Sequence, residues 1–303
     1  MYRSFAELQE HMARRAEPLR VGVASPEDEV VLGAVLMAAD ARLIVPVLVG
    51  DARRICAMLA ELGREATDYA IVDLPDSRET GRYVAAKVAS GEFQAPMKGH
   101  MHTAHFLRPL LDKTLGLLPE KGYVNQITLY EETLRSRMRL ICDCAVNIAP
   151  DLMQKASIII NAVKMAQALG CDTPKVAVIA PLETVNPDIP STMEAALLAK
   201  MGERGAFGKA LVDGPLSLDL AVSPEAAALK GVGGPVAGQA DILVTPDLDA
   251  GNIAHKTLVH IAGLKTSGIV LGARVPIIMT SRTDSMEDKF RSILTAMATA
   301  GQS

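Results

Sequence analysis

Short apolar runs rich in Val and Ile, each followed at once by helix-starting residues, recur along the chain, and this alternation limits the fold more than any other feature. LRVGVA (19–24) is followed by Ser25 as a cap, Pro26 at the first helical position and three acids in the first turn. LIVPVLVG (43–50) leads into a helix from Asp51, and YAIVDL (69–74) into one from Ser77. Apolar strands separated by amphipathic stretches imply an α/β fold with a largely parallel sheet. Pro46 has no N–H to give a ladder, so its strand is expected at an edge or with a bulge. Ser4 and Glu7, at capping-box spacing, open a helix ahead of the first strand.

Residues 90–105 read as a polar turn leading to a helix near 103–113, and NQITLY (125–130) and MRLICD (138–143) read as strands. A second α/β set follows: a long helix over 151–169, strand KVAVIA (175–180), a helix from Ser191 with Glu194 completing a capping box, and strands ALVDG (210–214) and ADILVT (240–245). Two short strands and a closing helix end the chain. At 303 residues the sequence exceeds one ordinary core. Two α/β lobes are expected, residues 1–130 with 271–303 and residues 131–270, with a cleft between them.

Charge and composition exclude several classes. A net charge of −4 without a basic run disfavours nucleic acid, and the 3% aromatic content offers no stacking surface. The N-terminus has no continuous apolar core of the export type, and no run of 18 uncharged apolar residues occurs, so a cytoplasmic protein outside the membrane is expected. The four cysteines make no C-x-x-C pair and read as reduced thiols. There is no phosphate loop, no H-E-x-x-H and no G-x-S-x-G, which removes the main support for kinase, metalloprotease and hydrolase readings.

Three stretches could carry chemistry. In TSRTDSMEDK (280–289) an apolar strand releases Ser281 and Arg282 at its carboxyl end, where a fixed guanidinium suits a phosphate or a developing oxyanion. Asp288, one turn into the next helix, could take a proton; Ser285 and Asp288 are also spaced as a helix cap, and spacing alone does not choose. PDLDAGNIAHKTL (246–258) has the outline of an anion site, with Gly251 in a turn, Asn252 at a helix start, Lys256 on the same face and Asp249 as a cap. KGHMHTAHF (98–106) sets Lys98, Gly99 and Thr103 at a turn into a helix, Lys98 being a phosphate counter-charge. His100, His102 and His105 read as a polar turn rather than metal ligands, since no carboxylate lies close in sequence. Arg135, Arg137 and Arg139 alternate, as a solvated face or as residues lining the cleft.

With these residues in view the chain resembles the phosphate acetyltransferase and phosphate butyryltransferase family. The resemblance runs in order through KGHMHTAHFLRPLL, CDCAVNIAPDL, PKVAVIAPLETVNPDIPSTMEAALL, VDGPLSLDLAVSPEAAALKG, VAGQADILVTPDLDAGNIAHKTL and VPIIMTSRTDSMEDK. It implies a two-lobe, three-layer αβα fold like that of isocitrate and isopropylmalate dehydrogenases, a homodimer formed through the second lobe, and an active site in the cleft. It also implies acyl-CoA and inorganic phosphate as substrates, with no permanently bound cofactor and no metal. Ser281, Arg282 and Asp288 match the family positions held to assist thiol attack on an acyl phosphate. Thr280 before the Ser-Arg pair and Thr283 after it depart from acetyl-specific relatives, and with KGHMHT they resemble the butyryl branch. Two other classes compete with this reading: a metal- and nicotinamide-dependent decarboxylating dehydrogenase, for which no D-x-x-x-D run appears in the second lobe, and a non-catalytic binding subunit, which would have lost the Ser-Arg or Asp positions.

Overall fold

The structure, a computed structural model, describes residues 1–14, 17–120 and 122–301. The chain divides into two compact units, a terminal unit of residues 6–122 and 267–303 and a central unit of residues 1–5 and 123–266.

The terminal unit begins with α1 (Phe5–Met12), all but its first residue, then β1 (Leu19–Ala24), α2 (Glu29–Asp40), β2 (Ile44–Gly50), α3 (Ala52–Glu61), β3 (Ala70–Asp73), α4 (Ser77–Ala89), β4 (Ala95–Lys98) and α5 (Thr103–Leu110). The chain then builds the central unit with β5 (Asn125–Glu132), β6 (Arg137–Cys142), α6 (Leu152–Ala168), β7 (Lys175–Ile179), α7 (Pro190–Glu203), β8 (Leu211–Leu216), α8 (Leu218–Val222), α9 (Pro224–Leu229), β9 (Ile242–Val244) and α10 (Leu248–Lys256). It returns through β10 (Thr266–Leu271), β11 (Ile277–Ile278) and α11 (Met286–Thr299), of which all but the first residue of β10 belongs to the terminal unit.

Strands of the terminal unit lie in the order β3-β2-β1-β4-β11-β10. All neighbours are parallel except β10 and β11, which are antiparallel. From β1 the chain steps outward to β2 and β3, then crosses to β4 on the other side of β1. This makes the carboxyl ends of β1 and β4 a topological switch point, the position at which open α/β sheets bind ligands. α11 packs on α2, with Met286 filling the space that a side chain at Gly33 would need.

The central unit has the order β5-β6-β9-β7-β8, with only β5 and β6 antiparallel. Its strands β6, β7 and β9 are almost wholly buried, as their unbroken apolar runs require.

Several local expectations give way to better alternatives. APMK, read as part of a polar turn, is strand β4, buried at all four positions between β1 and β11. Ser25 does not cap α2: at φ 53° its N–H donates to the Val49 carbonyl at 2.8 Å, and Asp28 is the cap, accepting from the Val31 N–H at 2.9 Å. Pro46 sits in an internal strand rather than at an edge or bulge. Leu43 and Val49 turn their carbonyls to β1, so Pro46 faces the β3 side, where pairing starts only at Val47 and no N–H is wanted. Ser191 and Glu194 form no capping box: α7 opens with Pro190 at its first turn, and Glu194 pairs with the buried Lys155 of α6. The arginine trio does not form one freely solvated face, because each member is engaged. Arg139 pairs with Glu132 and donates to the Ala240 carbonyl at 2.9 Å, Arg137 pairs with Asp241 at 2.6 Å, and Arg135 bonds the Val222 carbonyl and Glu225.

Candidate functional site

In the terminal unit three adjacent parallel strands, β1, β4 and β11, deliver their carboxyl ends to one edge. The loop after β4 is drawn tightly onto the end of β1, because Gly99 N–H donates to the Ala24 carbonyl at 2.8 Å and His100 N–H to the Ser25 carbonyl at 2.7 Å. Only glycine allows this approach: a Cβ at position 99 would overlap the Ser25 carbonyl oxygen and lie 2.6 Å from that of Ala24.

Lys98, the last residue of β4, is 4% exposed. Its ammonium has one long hydrogen bond, 3.4 Å to the Gly99 carbonyl, and no carboxylate at ion-pair distance among the described residues. Burial lowers its proton affinity, the neighbouring charges of Arg282 and Lys289 lower it further, and Asp284 opposes them. Lys98 thus has two cations near it and one opposing carboxylate, an arrangement complementary to an anion.

β11 ends into the turn that carries Ser281 and Arg282. Ser281 N–H donates to Asp284 Oδ2 at 2.7 Å, and Lys289 Nζ donates to the Ser281 carbonyl at 2.6 Å. Ser281 Oγ is 3.0 Å from Thr283 Oγ1. The Arg282 guanidinium is exposed and makes no hydrogen bond or ion pair among the described residues. An unpaired guanidinium beside a hydroxyl is free to take a tetrahedral anion.

Ser285 caps α11, and Asp288 is its partner in a capping box. Ser285 Oγ accepts from the Asp288 N–H at 3.1 Å and bonds Asp288 Oδ2 at 2.7 Å, while Arg291 donates to Oδ1 at 2.6 Å. Burial would raise the Asp288 carboxyl, but the bonds from Arg291 and Ser285 and the Arg291 charge outweigh it and hold the group below its ordinary value. Thr103 begins α5, exposed, and His100 Nδ1 stands 3.5 Å from Asp28 Oδ2. His105 faces Ser77 Oγ at 3.1 Å, and no trio of metal-binding side chains gathers among the described residues.

The central unit holds the other candidates. α10 starts at Leu248, capped by Asp247 and not Asp249, so Gly251 and Asn252 lie inside the helix rather than at a turn. Gly251 permits the helix to touch the loop after β6, since a Cβ there would overlap the Asp143 carbonyl oxygen. Asn252 Nδ2 donates to the Cys144 carbonyl at 3.1 Å, which ties α10 to that same loop. Lys256, half-buried, closes the helix four residues later on the face of Asn252. Asp143 is enclosed by the N–H groups of Ala145, Val146 and Asn147, yet burial keeps its carboxyl above the ordinary value. Burial also pushes the Cys142 and Cys144 thiols up, which makes them poor nucleophiles.

Lys98, Gly99, Ser281 and Arg282 therefore share one strand edge with Asp288 behind them, while Gly251, Asn252 and Lys256 form a separate group on the central unit. Lys289 and Asp284 escaped the sequence reading. SMEDK looks like an ordinary charged helix start, and nothing in it announces that its lysine points inward.

The sequence model of phosphate acetyl/butaryl transferase matches residues 78–297, a span that takes in both groups. The chain belongs to this family. Family membership makes it a transferase. It is 39% identical over 301 residues to the phosphate butyryltransferase of Clostridium acetobutylicum, covering 99% of each chain. It is 41% identical over 279 residues to the phosphate acetyltransferase of Thermotoga maritima, covering 92% of this chain and 94% of the other. The crystal structure of a branched-chain phosphotransacylase from Enterococcus faecalis V583 superposes with a TM-score of 0.82 at 31% identity, covering 93% of this chain and 99% of that one. Acetyl- and butyryl-named relatives thus stand at nearly equal identity.

Proposed function

We propose that this chain exchanges a short acyl group, butyryl in preference to acetyl, between coenzyme A and inorganic phosphate. One observation carries the reading: Lys98, Arg282 and Lys289 converge at the carboxyl ends of β4 and β11 with Asp284 as the one carboxylate acting on Lys98. Such a site is suited to the phosphate of an acyl phosphate.

In the thioester-forming direction the coenzyme A sulfur bonds to the acyl carbon as that carbon's bond to the phosphate oxygen breaks. The thiol loses its proton and phosphate departs with the bonding electrons. Arg282 and Ser281 Oγ are the proposed partners of the negative charge that grows on the phosphate and carbonyl oxygens. Asp288 is the proposed proton acceptor. Ser285 and Arg291 hold it ionised and fixed, and a carboxylate of low proton affinity favours transfer in step with sulfur–carbon bond formation rather than ahead of it. Neither buried thiol near Asp143 suits a covalent acyl intermediate, which supports direct transfer between the two substrates. Gly251, Asn252 and Lys256 are the proposed contacts to the coenzyme, and Thr103 a polar contact at the start of α5.

Purified protein is expected to release coenzyme A from acyl-CoA only when phosphate or arsenate is present, with chelators without effect. Butyryl-CoA should be turned over with a higher kcat/KM than propionyl- or acetyl-CoA. A side-by-side assay checks this, and a preference for acetyl-CoA would overturn the butyryl reading alone.

A pH effect follows from Lys98. Its proton leaves at a lower pH than that of an ordinary lysine, so the charged form prevails below that point and the site sheds positive charge as pH rises through it. The KM for phosphate should climb as pH rises, and the climb should begin below the range in which an ordinary lysine loses its proton. Lys98→Met should raise that KM about tenfold at neutral pH and flatten the climb.

A homodimer joined through the central unit and working in the cytoplasm completes the proposal. Met153 and Ile160 on α6 and Met193 and Leu197 on α7 are exposed apolar side chains on two helices in contact, a surface suited to a second copy. All four cysteines are free, and no helix is long and apolar enough to cross a membrane among the described residues.

A further inference from the structure

Ser281 is gripped from both sides by the side chains of Asp284 and Lys289, to which the transfer scheme assigns charge but no contact with substrate. Its N–H donates to Asp284 Oδ2 at 2.7 Å, and its carbonyl accepts from Lys289 Nζ at 2.6 Å. Asp284 N–H also reaches that carbonyl at 3.3 Å. Lys289 is 2% exposed and has no carboxylate at ion-pair distance among the described residues. Its burial lowers its proton affinity, which Asp284, Asp28 and Asp288 oppose.

A carbonyl before a helix can be satisfied by a main-chain N–H or by water, and burying an ammonium is costly. A neutral residue at 289 would serve the fold of α11 alone. What the ammonium adds is a short charge-assisted bond from the first turn of α11 to the residue that precedes Arg282.

We propose that Lys289 and Asp284 are positioning residues that clamp the Ser281 backbone between them, holding Ser281 Oγ and the Arg282 guanidinium in register for the phosphate. The clamp rests on the reading of this turn as the phosphate site. Lys289 touches no substrate and works through Ser281.

The deciding variant is Asp284→Ala, because charge and positioning predict opposite signs. Removing an acid beside three cations should tighten phosphate binding on charge alone. Loss of the clamp should instead raise the KM for phosphate about tenfold, with the KM for butyryl-CoA within about twofold. Lys289→Met should show the same split, and Lys289→Arg should recover most of it. Titration of inorganic phosphate against melting temperature gives a second readout: the wild type is stabilised and the Asp284→Ala and Lys289→Met proteins are not. A KM for phosphate that is unchanged or lower in Asp284→Ala overturns the clamp, whether or not Lys289→Met folds. A wild type without phosphate-dependent release of coenzyme A, yet stabilised by phosphate, sinks the proposed activity while the melting arm still decides the clamp. A wild type not stabilised at all overturns the clamp as well.

Discussion

Arg282→Gln is expected to lower phosphate-dependent release of coenzyme A from butyryl-CoA by about 10²- to 10³-fold, the cost of removing a donor aimed at developing charge. The melting temperature should stay where it was. The guanidinium is exposed and bonds nothing among the described residues, so the fold loses no partner when it goes. Glutamine is shorter and keeps two N–H donors, but has neither the charge nor the two-pronged fork that fits a phosphate. Kinetics and thermal unfolding of the same preparation check both halves. Activity within about threefold of the wild type would remove Arg282 from the site.

Gly99→Ala has the largest expected effect on both function and stability. A methyl group there overlaps the Ser25 carbonyl oxygen and comes within 2.6 Å of the Ala24 carbonyl, and both atoms are backbone at the end of a buried strand. Neither can swing aside like a side chain. The loop after β4 must lift, breaking the bonds from Gly99 N–H to Ala24 and from His100 N–H to Ser25. Overpacking of this kind costs about 1–3 kcal/mol. Displacing Lys98 and the strand edge by about 1 Å should cost a further 10²-fold in turnover. Gly233→Ala is the matched control, since a Cβ there meets nothing within 4 Å and should shift stability by less than about 0.5 kcal/mol. Comparable melting temperatures for the two variants would show that the close approach at Gly99 is not needed.

Most strands were legible because their burial demands unbroken apolar runs: LRVGVA, KVAVIA and the core of LIVPVLVG reappear nearly residue for residue as β1, β7 and β2. β4 was not. Its four residues include a proline and a lysine, both against strand propensity, and burial between β1 and β11 overrides them. Missing that strand hid the nature of Lys98, which local pattern presents as a turn residue and tertiary structure as a buried charge. Caps shifted for similar reasons: Asp28 was available three residues beyond Ser25, and only the pull of Ser25 onto β2 and the His100 loop shows which is used. The placement of Ser281, Arg282 and Asp288 after β11 was legible because strand end, hydroxyl and charge are adjacent in sequence. Lys289 could not, since its role depends on the direction in which one helical side chain turns.

The chain leaves the terminal unit after residue 122 and re-enters it at residue 267, bringing β11 to the side of β4 and α11 onto α2. During synthesis this order has a price. Residues 123–266 emerge as a contiguous stretch able to form the core of the central unit, while the terminal unit waits with β4 unpaired on one side until β11 is made. The turn bearing Ser281 and Arg282 arrives in that returning segment, just ahead of α11, which ties it down through Lys289. A chain interrupted before residue 267 therefore carries an exposed strand edge and lacks the turn proposed to bind phosphate.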